Sequence, residues 1–245
     1  METKQYALML NSAYDHLQEI ERCDLTHLNS DESLVAVAQK VRYFSVDMES
    51  ALDYIAFDLF SSYFLPIMEK EGKRIDSVEK KLRNVSFPNY KDEQIFNKRI
   101  KDIFPRLQAL YPEIFFSLKE IQPFRHSSDT NHWLTELNNL VNTNKHRHLS
   151  KTKKTESANN LSFRDSNGNS FQIGSIKGST HAIEIDGHAL TNKNSKSLRI
   201  TEFKGDIITK LIFLSDGKSV VETLENIYYN EKKAIEQLSY LIEKI

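Results

Sequence analysis

Apolar residues recur at helical spacing along four long stretches of the chain. These stretches span residues 3–22, 31–64, 130–149 and 219–244. An apolar stripe that repeats every three or four residues is typical of a helix with one buried face. Stripes of this length cannot stay exposed to water, so the pattern predicts a bundle of long helices. Because the helices over 31–64 and 219–244 have similar lengths, we predict that they pack against each other in an antiparallel arrangement.

Shorter apolar segments and prolines separate the long stretches. Helical spacing returns over residues 93–121, where Pro105 and Pro112 interrupt it. An interior proline lacks the amide hydrogen that a helix needs, so this region predicts two or three short helices. Pro66 is predicted to end the second long helix, and the polar residues 70–91 are predicted to form a surface connection.

The hydrophobic pattern changes to strand-like alternation after residue 154. Turn-forming pairs such as Asp186-Gly187 separate the alternating segments. We therefore predict a small antiparallel sheet over 159–215, with its most mobile loop at 190–197. The segments that carry the alternation are 161–164, 170–173, 182–185, 197–203 and 207–214.

Together these patterns predict an α+β protein that is mainly α. The predicted architecture is a long-helix bundle with a small antiparallel β-sheet inserted before the C-terminal helix. The predicted division is a helical bundle over 1–158, the inserted sheet over 159–215, and a C-terminal helix over 216–245 that completes the bundle.

The composition narrows the classes of protein that fit this pattern. The 245 residues have a formal net charge of −1, so RNA binding would need a local basic patch. The one cysteine, Cys23, excludes an internal disulfide and favours a reducing compartment. No apolar run approaches the roughly 20 residues that span a membrane, and no signal-peptide pattern opens the chain. We therefore expect a cytoplasmic protein without membrane contact.

The helix predicted over 130–149 has a polar face of unusual chemistry. Asn139, Asn142 and His146 fall nearly opposite its apolar residues. Imidazole exchanges protons near neutral pH, and arginine binds phosphate with two hydrogen bonds, so we predict His146, Asn142 and Arg147 as catalytic residues. The predicted substrate-binding residues are Asn139, Lys145, His148, Lys151, Lys153 and Lys154.

The same residues also fit structural roles. Asn142 and His146 would then link the helix to the sheet as buried polar groups. The basic run over 145–154 would be a solvated helix end, where cations suit the helix dipole. The sequence has no His-Glu-x-x-His or paired-cysteine motif, no phosphate-binding glycine loop and no dinucleotide fingerprint. We therefore expect neither a metal ion nor a cofactor.

Several short motifs resemble those of a broad family of uncharacterised bacterial proteins. The family has an ALD-x-(L/I)-A helix and a W-x-x-x-L…N-x-x-K-H-R helix, and the resemblance implies no established activity. The matching parts of this chain are MESALDYIAFDL over 48–59, the pair Phe87-Pro88, and Trp133-x-x-x-Leu137 followed by Asn142-x-x-Lys-His-Arg.

More distantly, a long-helix bundle with a polar Asn/His motif late in one helix resembles the HEPN domains. Many HEPN domains are metal-independent ribonucleases of toxin and antiphage systems. Their signature is an arginine, four to six residues and then a histidine, often with a polar residue after the arginine. In this sequence Asn139 or Asn142 stands where that arginine would precede His146. The nearest strict match, Arg125-x6-His132, lies at the entrance of the helix.

The HEPN resemblance implies an RNA-directed protein of a bacterial toxin or antiphage defence system. It implies metal-independent endoribonuclease activity and a homodimer that brings two histidines together. The alternative is a non-catalytic interaction or scaffold protein that uses the bundle and the β insert to bind a protein partner. An open, basic cleft around His146 favours the ribonuclease, and a histidine packed beneath the sheet favours the scaffold.

Overall fold

The computed structural model describes most of the chain as two compact units. The first unit comprises Met1–Arg22, Gln39–Ser150 and Glu222–Ile245, and the second comprises Cys23–Ala38 and Lys151–Val221. The residues that the structure describes are 4–23, 31–72, 80, 82–126, 132–146, 149–164, 170–179, 184–185, 188–189 and 200–244.

The protein is mainly helical, with a small antiparallel sheet before the C-terminal helix, as the sequence predicts. A π-helical turn, Phe60–Phe64, continues the second helix, and a 3-10 helix, Pro123–His126, precedes the helix predicted over 130–149. The α-helices are α1 (Gln5–Glu21), α2 (Asp31–Leu59), α3 (Leu65–Lys70), α4 (Glu93–Ile103), α5 (Leu107–Leu110), α6 (Pro112–Glu120), α7 (Trp133–His146) and α8 (Val220–Glu243).

Helix α1 runs antiparallel to both α2 and α8. Lys40 of α2 forms an ion pair with Glu19, near the end of α1. At the other end of α1, the hydroxyl of Tyr6 lies 2.6 Å from that of Ser239 in α8. His16 of α1 lies 3.7 Å from Asp47 of α2, and the ring of Tyr14 stacks at 5.1 Å on that of Tyr228 in α8. The residue numbers of α1 therefore fall as those of its two neighbours rise.

Helix α7 also runs antiparallel to α2 and α8. Lys145, at the end of α7, forms an ion pair with Glu49 of α2. Nearer the start of α7, the carboxylate of Glu136 accepts a hydrogen bond of 3.1 Å from the side-chain amide of Asn226 in α8. The four long helices therefore form a bundle in which α1 and α7 run one way and α2 and α8 run the other.

The predicted antiparallel packing of the 31–64 and 219–244 helices is wrong, because these two helices run parallel. The hydroxyl of Tyr63, just after α2, donates a hydrogen bond to the backbone carbonyl of Ile242, near the end of α8. Apolar stripes of equal length show that both helices are buried, but a stripe has no direction. The antiparallel partner that α2 requires is supplied by α1 and α7 instead.

The predicted buried faces of the four helices are largely confirmed. On α7, the four residues predicted to face inward are all buried. Because four apolar stripes meet in one core, each helix is held by tertiary burial rather than by its own propensity. The buried apolar residues of the bundle include Ala13, Leu17, Ile20, Val41, Phe44, Met48, Ile55, Trp133, Leu137, Leu140, Val141, Leu224, Ile227, Ile235 and Leu238.

Pro66 does not end the second long helix, contrary to the prediction. The chain stays helical through the π-helical turn Phe60–Phe64 and into α3. A π-helical turn interrupts the regular α-helical hydrogen bonding directly before the proline, where an α-helix would need an amide hydrogen that proline lacks. Phe60 and Phe64 remain buried, so the core continues past the irregularity.

Two side chains hold residues 87–90, which precede α4, against the bundle. Asp53 of α2 accepts a 2.9 Å hydrogen bond from the backbone amide of Phe87. The fully buried side chain of Gln122 accepts a hydrogen bond from the amide of Tyr90 at 3.0 Å and donates one to the carbonyl of Pro88 at 2.9 Å. The Ala-Leu-Asp and Phe-Pro motifs therefore touch each other, and this contact gives both of them a structural role.

The sheet of the second unit has the order β2-β1-β5 and is antiparallel throughout. Leu161 of β1 pairs with Ile173, and Phe163 pairs with Phe171, whose ring stacks on it at 5.0 Å. The strands are β1 (Thr152–Arg164), β2 (Ser170–Ser179), β3 (Glu184–Ile185), β4 (His188–Ala189) and β5 (Thr201–Phe213), and β3 and β4 form a separate hairpin.

The sheet begins earlier than the predicted boundary at residue 159. Its first strand starts at Thr152, inside the basic run over 145–154 for which a solvated helix end is one interpretation. Thr152 and Glu156 are buried there, so the hidden face of the strand starts with polar residues and shows no hydrophobic alternation. The segments predicted separately at 197–203 and 207–214 contribute to one strand, β5. The predicted loop at 190–197 lies outside the described residues.

Replacing Ile55 or Leu224 with aspartate should destabilise the protein by about 3 kcal/mol or more, because each change buries an unpaired charge in the core. Ile55 is 2% exposed and Leu224 is 0% exposed. Thermal and denaturant melts measure the loss. Ile95→Asp is the matched control, since Ile95 is 51% exposed and should tolerate the charge. Equal melting of Ile55→Asp and wild type would contradict the packing of the bundle.

Candidate functional site

The predicted polar face of α7 is exposed where the structure describes it. Asn139 and Asn142 both lie in solvent, opposite the buried stripe that contains Leu137 and Val141. Lys145 is also exposed, but its ammonium group is paired with Glu49. Asn142 is therefore accessible to a ligand, whereas Lys145 already has a carboxylate partner.

The remaining predicted residues divide between undescribed positions and the second unit. Helix α7 ends at His146, whose side chain lies outside the described part of the structure, as do Arg147 and His148. Lys151 and Lys153 are exposed, and Lys154 lies 3.3 Å from the buried carboxylate of Glu156. The site predicted around His146 and Arg147 therefore stays a prediction.

Asn144, which the sequence analysis missed, has a clear structural role at the end of α7. Its side chain is buried, and its amide oxygen accepts hydrogen bonds from the backbone amide of Ser150 at 2.9 Å and from the Ser150 hydroxyl at 3.1 Å. Its amide nitrogen donates to the hydroxyl of Ser45 in α2 at 3.4 Å. Asn144 therefore ties the chain that leaves α7 back to the bundle.

A groove of about 480 Å³ opens between α6, the 3-10 helix, α7 and α8. Its lining includes side chains that can form hydrogen bonds to a ligand, a lysine that can bind an anion, and two imidazoles that can transfer protons. We call it the histidine groove, and the residues used to define it are Ser117, Glu120, His126, His132, Asn230 and Lys233.

Two histidines stack at the wall of this groove. The rings of His126 and His132 have centroids 5.0 Å apart and planes inclined by 21°. His132 also stacks on Trp133, at 6.0 Å and 27°. His132 is mostly buried and His126 is exposed, but both side chains line the groove, so a ligand there can meet both rings.

The contact of His126 with the backbone assigns its neutral tautomer. Nε2 lies 2.9 Å from the carbonyl oxygen of Glu120. A carbonyl accepts hydrogen bonds but cannot donate them, so Nε2 carries the hydrogen and Nδ1 keeps the lone pair. The ring is thereby oriented with Nδ1 as its proton-accepting atom.

The local sequence explains why these groups meet. Pro123 begins the 3-10 helix that carries Arg125 and His126. His132 precedes the first residue of α7, and its carbonyl accepts the amide hydrogens of Thr135 at 2.9 Å and Glu136 at 3.1 Å. The positive end of the α7 dipole therefore lies beside the two imidazole rings.

The groove also contains charged and unsatisfied groups. The guanidinium of Arg125 pairs at 2.9 Å with Glu120, which lines the groove, and Lys233 of α8 is a further lining residue. The hydroxyl of Ser117 is buried and has no hydrogen-bond partner within the described residues. A buried hydroxyl without a partner costs free energy, which a bound ligand could recover.

A second polar group lies in the core of the bundle, on α8. Glu231 is completely buried, and neither of its carboxylate oxygens has a hydrogen-bond partner among the described residues. Burial raises the pKa of this carboxyl well above 4.5, and the nearby carboxylate of Asp53 raises it further. The sequence signal was an acid within the apolar stripe between Ile227 and Leu238.

Burial also raises the pKa of Asp53, although the amide hydrogen of Phe87 opposes that shift.

Within the described residues, no group of three or more histidine, cysteine or acidic side chains is arranged to hold a metal ion. Across the same residues, no helix combines the length and apolar character needed to cross a membrane.

The comparisons with known proteins add nothing to this geometry. The chain matches no family model, and searches of curated proteins and of solved structures gave no match. The candidate site therefore rests on the contacts described above.

Glu231→Gln should stabilise the protein at alkaline pH and have little effect at acid pH. A carboxyl whose pKa is raised by folding carries no penalty below its ordinary pKa of 4.5, and the penalty grows as the pH rises towards the raised value. Each kcal/mol recovered should raise the melting temperature by about 2–4 °C. Melting curves between acid and alkaline pH test this.

Glu236→Gln is the matched control, because Glu236 lies on the exposed face of the same helix. A pH-independent difference between wild type and Glu231→Gln would contradict the buried position of this carboxyl.

Proposed function

We propose that this chain is an HEPN-like, RNA-directed protein that cleaves RNA without a metal ion. One observation carries the proposal: His126 and His132 stack in a groove, and Arg125 pairs with Glu120, which lines that groove. These residues form an arginine, a polar residue after it, and a histidine that follows the arginine after six residues. That arrangement fits the HEPN signature more closely than the motif around His146 does.

RNA cleavage needs two proton transfers, and the stacked histidines support a role for one ring in each. Nδ1 of His126 would take the proton from the 2′-hydroxyl, whose oxygen then forms a bond to the adjacent phosphorus. His132 would give a proton to the 5′-oxygen as the bond from phosphorus to that oxygen breaks. The products are a 2′,3′-cyclic phosphate and a 5′-hydroxyl, and no redox partner or metal ion enters the balance.

Positive groups around the pair would bind the phosphate. Lys233 lines the groove, and so do His132 and Trp133 at the start of α7, where the helix dipole is positive. Arg125 is partly exposed and paired with Glu120. An exposed ion pair of this kind contributes little stability, so Arg125 can exchange Glu120 for a phosphate at low cost.

The residues predicted first, Asn142, Lys145, His146 and Arg147, remain a second candidate site for the same activity. Exposed Asn142 supports this alternative. We further propose that the protein acts as a cytoplasmic homodimer in a bacterial toxin or antiphage system, as the HEPN resemblance implies.

A non-catalytic scaffold is the alternative function, and one observation favours it. Tyr43, Tyr54 and Phe57 of α2 are all exposed. Their spacing places them within about 60° of one another around the helix. An aromatic stripe of this kind is a surface on which a protein partner could dock.

Incubating the protein with cellular RNA under chelator tests the catalytic proposal. Wild type should release fragments with 2′,3′-cyclic phosphate ends. His126→Ala should reduce the rate by about 10²–10⁴, because a positioned proton-transfer group is lost. His126 is exposed, so this variant should melt like wild type. His132→Gln provides a second variant that retains a polar side chain at the buried position.

His146→Ala is the matched comparison. If it alone abolishes cleavage while His126→Ala is fully active, the active site lies at the end of α7 rather than in the histidine groove. Wild type that leaves RNA intact would overturn the ribonuclease proposal and favour the scaffold.

A further inference from the structure

A second groove, of about 830 Å³, lies between α4, α5 and α6. Its floor is apolar and includes Ile100, Phe104 and Phe115. Its charged lining residues are all cations, and within the described residues no carboxylate lines it. We call it the basic groove, after Lys101, Arg106 and Lys119.

The three cations differ in how firmly they are held. Lys101 has no ion pair among the described residues, whereas Lys119 lies 2.6 Å from Glu93 and Arg106 lies 4.0 Å from Glu71. Both acids stand outside the groove lining and are substantially exposed. Exposed ion pairs add little stability, so Arg106, which is 64% exposed, can turn to an anion in the groove. Lys119 is 21% exposed and is held more firmly by Glu93.

Phe116 connects the basic groove to the histidine groove. It lies on α6, which separates the two, and its side chain lines both. Phe116 is 53% exposed, and its ring meets that of Phe115 edge to face at 5.6 Å. One face of a large aromatic ring is therefore available to a ligand at the crest between the grooves.

We propose that the basic groove binds single-stranded RNA whose neighbouring nucleotides occupy the histidine groove, with a base stacked on Phe116. This inference rests on the proposed function. An aromatic platform flanked by cations is the chemistry that holds single strands, because stacking binds the base and the cations bind the phosphates. Duplex RNA fits poorly, since its base faces are already stacked.

Binding of a short, fluorescently labelled 2′-O-methyl RNA tests the proposal separately from cleavage. This RNA lacks the 2′-hydroxyl nucleophile, so it can be bound but not cut by the proposed reaction. Phe116→Ala should weaken binding roughly 5- to 150-fold, the effect of losing one stacked base. Tyr240→Ala is the matched control, because Tyr240 is an equally exposed aromatic residue that lines neither groove.

Salt dependence tests the cations. Lys101→Gln should reduce the slope of log affinity against log salt by about 0.7, the value for one lost phosphate contact on a single strand. Lys98→Gln should leave the slope unchanged, since Lys98 is exposed on the same helix but does not line the groove.

The outcomes separate the two proposals. If unmodified RNA is cut but Phe116→Ala and Lys101→Gln bind 2′-O-methyl RNA like wild type, the basic groove is not a binding site. If both variants lose binding of 2′-O-methyl RNA while wild type leaves unmodified RNA intact, the basic groove is supported as a binding site and the ribonuclease proposal is overturned. No binding by wild type, equal binding of the duplex, or equal competition by polyglutamate would overturn the inference.

Discussion

The structure depends on burying four apolar stripes in one core. Helices α1, α2, α7 and α8 each place one apolar face inward, and water would penalise any of those faces alone. Helices α1 and α7 run antiparallel to both α2 and α8, so two helices of the bundle point one way and two point the other. The start of α7 then lies against the middle of α8, where the histidine groove forms. The candidate site is therefore a product of how the bundle packs.

Helical periodicity predicted the elements of the fold but not their directions. The apolar stripes located the long helices to within a few residues, because the buried positions of a helix recur every three or four residues along the sequence. The parallel course of α2 and α8 depends on contacts such as that of Tyr63 with Ile242, and sequence spacing does not encode such contacts. The early start of β1 was hidden because Thr152 and Glu156 are polar although buried. The hydrophobic pattern gives no sign of a strand at these residues, and the strand starts there because the fold buries their polar side chains.

The candidate site was only partly visible in the sequence. The spacing of Arg125 and His132 could be read directly, but the meeting of His126 and His132 with Lys233 in one groove required the folded bundle. Periodicity pointed to His146 as a catalytic residue because it lies on a regular polar face of a helix. His132 lies at the entrance of that helix and belongs to no periodic pattern. The acid at Glu231 was detectable, as a charge where the stripe calls for an apolar residue. For this buried acid, the signal in the sequence was a break in the apolar periodicity.

Arg106 shows a conflict between stability and binding at the basic groove. Its backbone φ of 65° is left-handed, a conformation that glycine adopts freely and that arginine adopts at a cost. Glycine at this position would ease the backbone and remove one of the three cations that line the groove. Selection for thermal stability alone would therefore favour glycine, whereas selection for capture of an anionic ligand would retain arginine. If the basic groove binds an anion as proposed, Arg106 is the position where the backbone favours glycine and the ligand favours a cation.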